Sequence, residues 1–275
     1  MRARRALGVS GLAAALAVLV VAPGFAGIGG VGGSEPEPGS TRAAPKTVLF
    51  DGKKPASLRY RFRGEGPEDI RVRVVKGSSG RVVRSWIAGD REPRTLYERR
   101  WNGVEQGGSA AEPGRYRFRF KPTGTGLDWP GGSFVLRDHA HPVEGPHGSR
   151  GAIGDFGAPR NGGRIHAGYD VIADCGTPLV AARGGRVQKA GFDPVLFGWF
   201  VLIDGRKTSR DYFYSHLRDK PRVGKGDRVR TGERIGKVGQ TGNARSTPCH
   251  LHFEIRTKKG PTDPEPALRR WDRWR

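Results

Sequence analysis

Between Leu58 and Lys121 the chain repeatedly sets apolar residues and cations in alternation, and this pattern constrains its fold more than any other feature. Leu58, Tyr60 and Phe62 alternate with Arg59, Arg61 and Arg63. Ile70, Val72 and Val74 alternate with Arg71 and Arg73, and Tyr116, Phe118 and Phe120 with Arg115, Arg117, Arg119 and Lys121. A period of two puts one kind of residue on each face of a strand, so these segments are expected as half-buried strands of an antiparallel sandwich. Gly77-Ser-Ser-Gly80, Asn102-Gly103 and Pro113-Gly114 supply the turns. The 44 glycines and 20 prolines among 275 residues extend the all-β reading to the rest of the chain, where no amphipathic helix is expected.

The first residues bear on compartment. Met1–Arg5 carries three arginines, Ala6–Val21 is apolar and uncharged, and Gly24-Phe25-Ala26 offers small residues for signal-peptidase cleavage. Residues 1–26 are therefore expected to be a secretion signal. The apolar run is shorter than the ~20 residues a spanning helix needs, so a membrane link is expected only through an uncleaved signal. Gly/Pro composition marks residues 27–45 as a flexible linker. The mature protein is expected outside the cytoplasmic membrane, secreted or attached to the envelope, and as a monomer. Its 49 lysines and arginines against 27 acids give a net charge of +22. Outside the cell that charge favours anionic wall polymers through basic faces, and an exported chain with no nucleic-acid motif is not expected to bind nucleic acid.

Trp101-Asn-Gly-Val-Glu-Gln-Gly-Gly-Ser-Ala-Ala-Glu-Pro-Gly-Arg-Tyr116 resembles the Ig-like module of flagellar hook-cap proteins. The resemblance implies an Ig-like β-sandwich over residues 46–136, and a fold rather than a role in flagellar assembly. At the other end, Leu268–Arg275 sets Trp271 and Trp274 among four arginines, as a packed terminus or a docking segment.

Chemistry concentrates in the histidines. In Cys249-His-Leu-His-Phe-Glu-Ile255, strand alternation turns Leu251, Phe253 and Ile255 to a core and His250, His252 and Glu254 to the opposite face. His166 and Asp170, in a glycine-rich loop entering a strand, offer the nitrogen and oxygen ligands that zinc accepts. Tyr212-Phe-Tyr-Ser-His216 reads as a further strand presenting Tyr212, Tyr214 and His216 together. Alternation also turns Cys175 and Cys249 away from the histidines, which favours a disulfide over thiolate ligation.

These segments, with Phe156-Gly-Ala-Pro-Arg160, Tyr214-Ser-His216-Leu and Gly239-Gln-Thr-Gly242, occur in the order found in the M23 family of zinc peptidases, the lysostaphin or LytM-type endopeptidases, which residues 137–275 resemble. The resemblance implies one zinc per chain held by His166, Asp170 and His252, with His216 and His250 catalytic. Three protein ligands leave one position open, as in catalytic zinc sites. The implied activity is that of an exported zinc metalloendopeptidase acting on the peptides of peptidoglycan. The alternatives are a non-enzymatic activator of another wall hydrolase built on the same fold, or a wall-binding envelope protein. His147 is a candidate to block the open position in a latent form.

Overall fold

The computed structural model describes residues 35–273, so the expected signal, the first part of the linker and Trp274 lie outside the described residues. The first half holds strands β1 (Glu37–Ala44), β2 (Thr47–Leu49), β3 (Ala56–Arg63), β4 (Glu68–Lys76), β5 (Val82–Arg91), β6 (Tyr97–Trp101), β7 (Gly114–Pro122) and β8 (Trp129–Arg137). They form a three-stranded sheet, β1-β3-β6, and a five-stranded sheet, β2-β8-β7-β4-β5. The alternating segments become β3, β4 and β7, and their apolar members share one core, in which Tyr60 and Phe120 pack with ring centroids 5.0 Å apart. Residues 37–44, expected as linker, instead pair antiparallel with β3 as an edge strand. Pairing there uses backbone groups and buries little besides Ala43, so the side chains carry almost no signal of it.

The second half holds β9 (Gly148–Ser149), β10 (Tyr169–Ile172), β11 (Pro178–Val180), β12 (Gly185–Asp193), β13 (Gly198–Gly205), β14 (Asp211–Leu217), β15 (Arg228–Val229), β16 (Arg234–Lys237), β17 (His250–Thr257), β18 (Gly260–Thr262) and the helix α1 (Glu265–Trp271). Eight of these strands form one sheet, β15-β12-β13-β14-β17-β10-β9, with β18 also on β17, while β11 and β16 pair separately. A second core gathers Val171, Tyr212, Tyr214, Leu251, Phe253, Ile255 and Trp271. Burying each such side chain contributes roughly 1.5–3 kcal/mol. The helix was not expected. Its seven residues are too few for a helical period to register, and it is held by Ala267, Leu268 and Trp271, whose indole stacks on His139 at 4.2 Å. No helix among the described residues is long and apolar enough to cross a membrane.

The two halves meet at Arg183, which is 3% exposed and lies 3.7 Å from the centre of the Phe50 ring. Its guanidinium donates from Nη1 to the Asp138 carbonyl and from Nε to the Arg206 carbonyl, so the buried cation has two backbone acceptors besides the cation–π contact. Arg206 in turn pairs with Asp51.

Candidate metal centre

The centre of the large sheet assembles the histidines. β10 and β17 run antiparallel with Asp170 opposite His252, and Ser215 of β14 lies opposite His252 on the other side. Leu251 and Phe253 enter the core from β17 while His250 and His252 face away from it, as alternation requires. Gly168 makes the close approach possible. A Cβ there would meet the Phe253 carbonyl and lie 2.8 Å from Glu254 Cγ and 2.9 Å from His252 Cε1.

Three donor atoms converge. His166 Nε2 is 2.7 Å from His252 Nδ1, and each lies 3.0 Å from Asp170 Oδ1. His166 Nδ1 donates to the Asp155 carbonyl at 2.8 Å, and His252 Nε2 donates to Glu254 at 2.9 Å. The facing nitrogens therefore both present lone pairs, and two lone pairs 2.7 Å apart repel unless a cation lies between them. Two imidazoles and one carboxylate oxygen are a donor set zinc accepts, and buried His166, Asp170 and His252 fit it. Without a cation between them, protons on the ring nitrogens answer the same demand. Burial works against the Asp170 carboxylate, yet hydrogen bonds from His166 and His252 hold its pKa far below the usual carboxylate range. Burial likewise opposes a charged His252, but hydrogen bonds to Asp170 and Glu254 raise its pKa.

His216 and His250 stand beside this trio with ring centroids 5.0 Å apart. His216 Nδ1 donates to the Thr241 carbonyl at 2.9 Å, and His250 Nδ1 to the Pro248 carbonyl at 2.8 Å. Each tautomer is thus set by the main chain, leaving Nε2 as an acceptor. Burial and the neighbouring imidazoles push His216 down to about 3, and burial lowers His250 against the pull of Asp170.

The expected grouping of His216 with Tyr212 and Tyr214 is corrected. The two tyrosines are core residues, whereas His216 lines the cleft with His250 and His252. A register shift between β13 and β14, and a left-handed backbone at His216 (φ 62°), turn the ring to the opposite face. Such a conformation costs a non-glycine residue on the order of 1–3 kcal/mol and collects at functional sites. His147 is also elsewhere: it stacks on His141 at 4.0 Å, and its Nε2 lies 3.5 Å from Asp272. The side chain that does reach the site is Arg150, with Nη1 at 2.9 Å from Asp170 Oδ2 and 3.4 Å from His250 Nε2. Arg160 lies 3.5 Å from the same oxygen. Arg150 carried no motif in the sequence, while Arg160 closed the Phe156-Gly-Ala-Pro-Arg160 segment.

Residues 164–264 match peptidase family M23. The chain carries a peptidase M23 domain. The domain's relatives include the lipoprotein NlpD/LppB homolog of Pseudomonas aeruginosa, 34% identical over 122 residues covering 41% of this chain and 39% of that protein. The L-Ala–D-Glu endopeptidase of Bacillus subtilis is 32% identical over 158 residues, 52% of this chain and 47% of that protein. The peptidoglycan DD-endopeptidase ShyC of Vibrio cholerae is 38% identical over 93 residues, 34% of this chain and 20% of that protein. The chain spans less than half the length of these curated relatives. The M23 domain joins Cys175 and Cys249 in a disulfide, and neither sulfur belongs to the donor trio.

Acid should weaken the metal-free protein. Burial lowers the pKa of His139 and His216, so both are neutral when folded and take up a proton on unfolding below about pH 6.5. Their contribution is complete above that value and is lost as pH falls toward their folded pKa values, His216 alone accounting for about 2 kcal/mol by pH 5. His252, with its raised pKa, works in the opposite direction. A lower thermal midpoint at pH 5 than at pH 7.5 is expected by calorimetry, and an unchanged or higher one would contradict this balance.

Proposed function

We propose that this chain is an exported zinc metalloendopeptidase that hydrolyses a peptide bond of bacterial peptidoglycan. The observation that carries the reading is the convergence of His166 Nε2, Asp170 Oδ1 and His252 Nδ1 beside two further imidazoles with fixed tautomers. His166, Asp170 and His252 would hold one zinc per chain, and His216 and His250 are the catalytic pair. When bound, zinc supplies Lewis-acid polarisation of a carbonyl and brings the pKa of water to about 7.

The remaining work belongs to the chain's own groups. His216 Nε2 and His250 Nε2 start as acceptors, because their other nitrogens are committed to backbone carbonyls. Either can therefore receive a proton from an attacking water, and in doing so becomes a donor able to pass it to the leaving amine. Glu254 orients His252 through its second nitrogen, and Arg256, 2.6 Å from Glu254, holds that carboxylate in turn.

Residues 1–26 act as the export signal, 27–45 as a tether that includes β1, 46–136 as an Ig-like module and 137–275 as the peptidase domain. The two relatives named for their bonds, L-Ala–D-Glu and DD, cut different links, so the class of substrate is carried over here and the bond is not. The test is mass spectrometry of fragments released from purified peptidoglycan by the zinc-loaded protein. New amino termini are expected. If none are released despite one bound zinc per chain, the non-enzymatic activator or wall-binding reading replaces this one.

A further inference from the structure

The cleft of about 800 Å³ over the donor trio has two chemically different walls. One is the segment from Arg150 to Ile165, which adjoins His166 and Asp170 and brings Arg150, Arg160 and Arg164 to the cleft. The other is the turn through Val195, Leu196 and Phe197, which adjoins His216 through the Phe197 carbonyl.

On the first wall, cations outnumber their acceptors. Arg150 and Arg160 share a single carboxylate oxygen, Asp170 Oδ2, at 2.9 and 3.5 Å. Arg160 also donates to the Ile153 carbonyl, and Arg164 donates to the Asn161 carbonyl, so their charges meet dipoles rather than anions there. The other carboxylate in the cleft, Glu254, is taken up by His252 and Arg256. Arg150 and Arg160 are only 19% and 22% exposed, so both are largely shielded from solvent. Their placement is built in: Gly154 lets the segment press inward, since a Cβ there would strike the Arg150 side chain and lie 3.1 Å from Asp170 Cβ. The apolar side of the cleft is equally distinct. Val195 is 73% exposed at its mouth, in a turn whose Val195 and Leu196 amides donate to Asp193.

We infer that the cleft selects an acidic peptide, one bearing a free carboxylate within a residue or two of the bond cut, which Arg150, Arg160 and Arg164 receive while a small apolar side chain lies against Val195–Phe197. The inference rests on the proposed peptidase reading for its reaction, but its recognition chemistry stands on these contacts. Guanidinium forks bind carboxylates bidentately, and the charge-assisted bonds are about twice as strong as neutral ones. A neutral glycine bridge or an amidated stem offers them nothing.

The probes are the stem peptide L-Ala-γ-D-Glu-L-Lys-D-Ala with free carboxylates, the same peptide with every carboxylate amidated, and pentaglycine. Binding is measured by calorimetry on the zinc-loaded chain carrying His216→Ala to prevent turnover, and repeated with Arg160→Gln or Arg164→Gln added. The acid form is expected to bind at least tenfold more tightly than the amide and pentaglycine, with the ratio falling toward one in the arginine variants. A purely structural role for these arginines would weaken all three probes alike and leave the ratio intact. Equal affinities, no measurable binding of the acid form, or a ratio unchanged in both variants would overturn the inference. Peptidoglycan hydrolysis without acid preference sinks this inference alone, whereas acid preference without hydrolysis sinks the peptidase reading alone.

Discussion

His216→Ala and His250→Ala are each expected to slow peptidoglycan hydrolysis by about 10²–10⁴-fold while leaving one zinc per chain. Neither imidazole belongs to the converging donor trio, and each presents only one acceptor nitrogen, the other being committed to Thr241 or Pro248. Removing either ring takes away a proton acceptor and leaves the three donor atoms in place. The double variant should be little worse than the poorer single variant if the two rings pass one proton between them, because residues acting as a unit are not additive. His252→Ala is the contrasting case, since it removes a donor and should lower metal content together with rate. Metal analysis beside initial rates separates the two classes. A His216→Ala protein that is fully active, or inactive only because it has lost its metal, would refute the role given to His216.

The second large effect concerns stability. Replacing Cys175 and Cys249 together by alanine is expected to cost roughly 4 kcal/mol, the loop-entropy value for the 74-residue separation they close. For a domain of this size that corresponds to a fall of about 10 °C in the thermal midpoint. Cys249 directly precedes β17, and Cys175 follows β10, so the bond ties the start of the strand that carries His252 to the end of the strand that carries Asp170. The ladder between β10 and β17 persists without it, so zinc content at room temperature is expected to be unchanged. Calorimetry and metal analysis of the same sample check both halves of the statement, and early loss of metal would mean that the bond, not the ladder, holds the donors in place.

Much of this site could be read in the sequence because its elements are regular strands. Alternation along 250–255 set His250 and His252 opposite Leu251 and Phe253, and the same rule turned Cys249 to the core side. Alternation failed at His216, where the register shift and the left-handed backbone break the period, and a period cannot announce its own interruption. Backbone carbonyls were equally hidden. Asp155, Thr241 and Pro248 fix three imidazoles through groups that every residue possesses, so side-chain identity gives no warning of them. Arg150 was missed for a related reason: in a chain with 49 lysines and arginines, one more arginine carries no information until its neighbours are known.

The ladder that joins β10, β17 and β14 has a consequence for how such a protein can diversify. Each reactive side chain on these strands is one residue away from a member of the core, so the reactive geometry is as hard to alter as the interior itself. The two walls of the cleft lie outside that ladder and touch it at a few points, among them Arg150 and Arg160 at Asp170 and the Phe197 carbonyl at His216. Recolouring of charge at positions of 150–165 or 193–197 other than Arg150, Asp155 and Phe197, which contact the site directly, is therefore the route by which ligand preference can change while the histidines stay in place. Laboratory libraries confined to those two segments are where altered preference for wall chemistry should emerge.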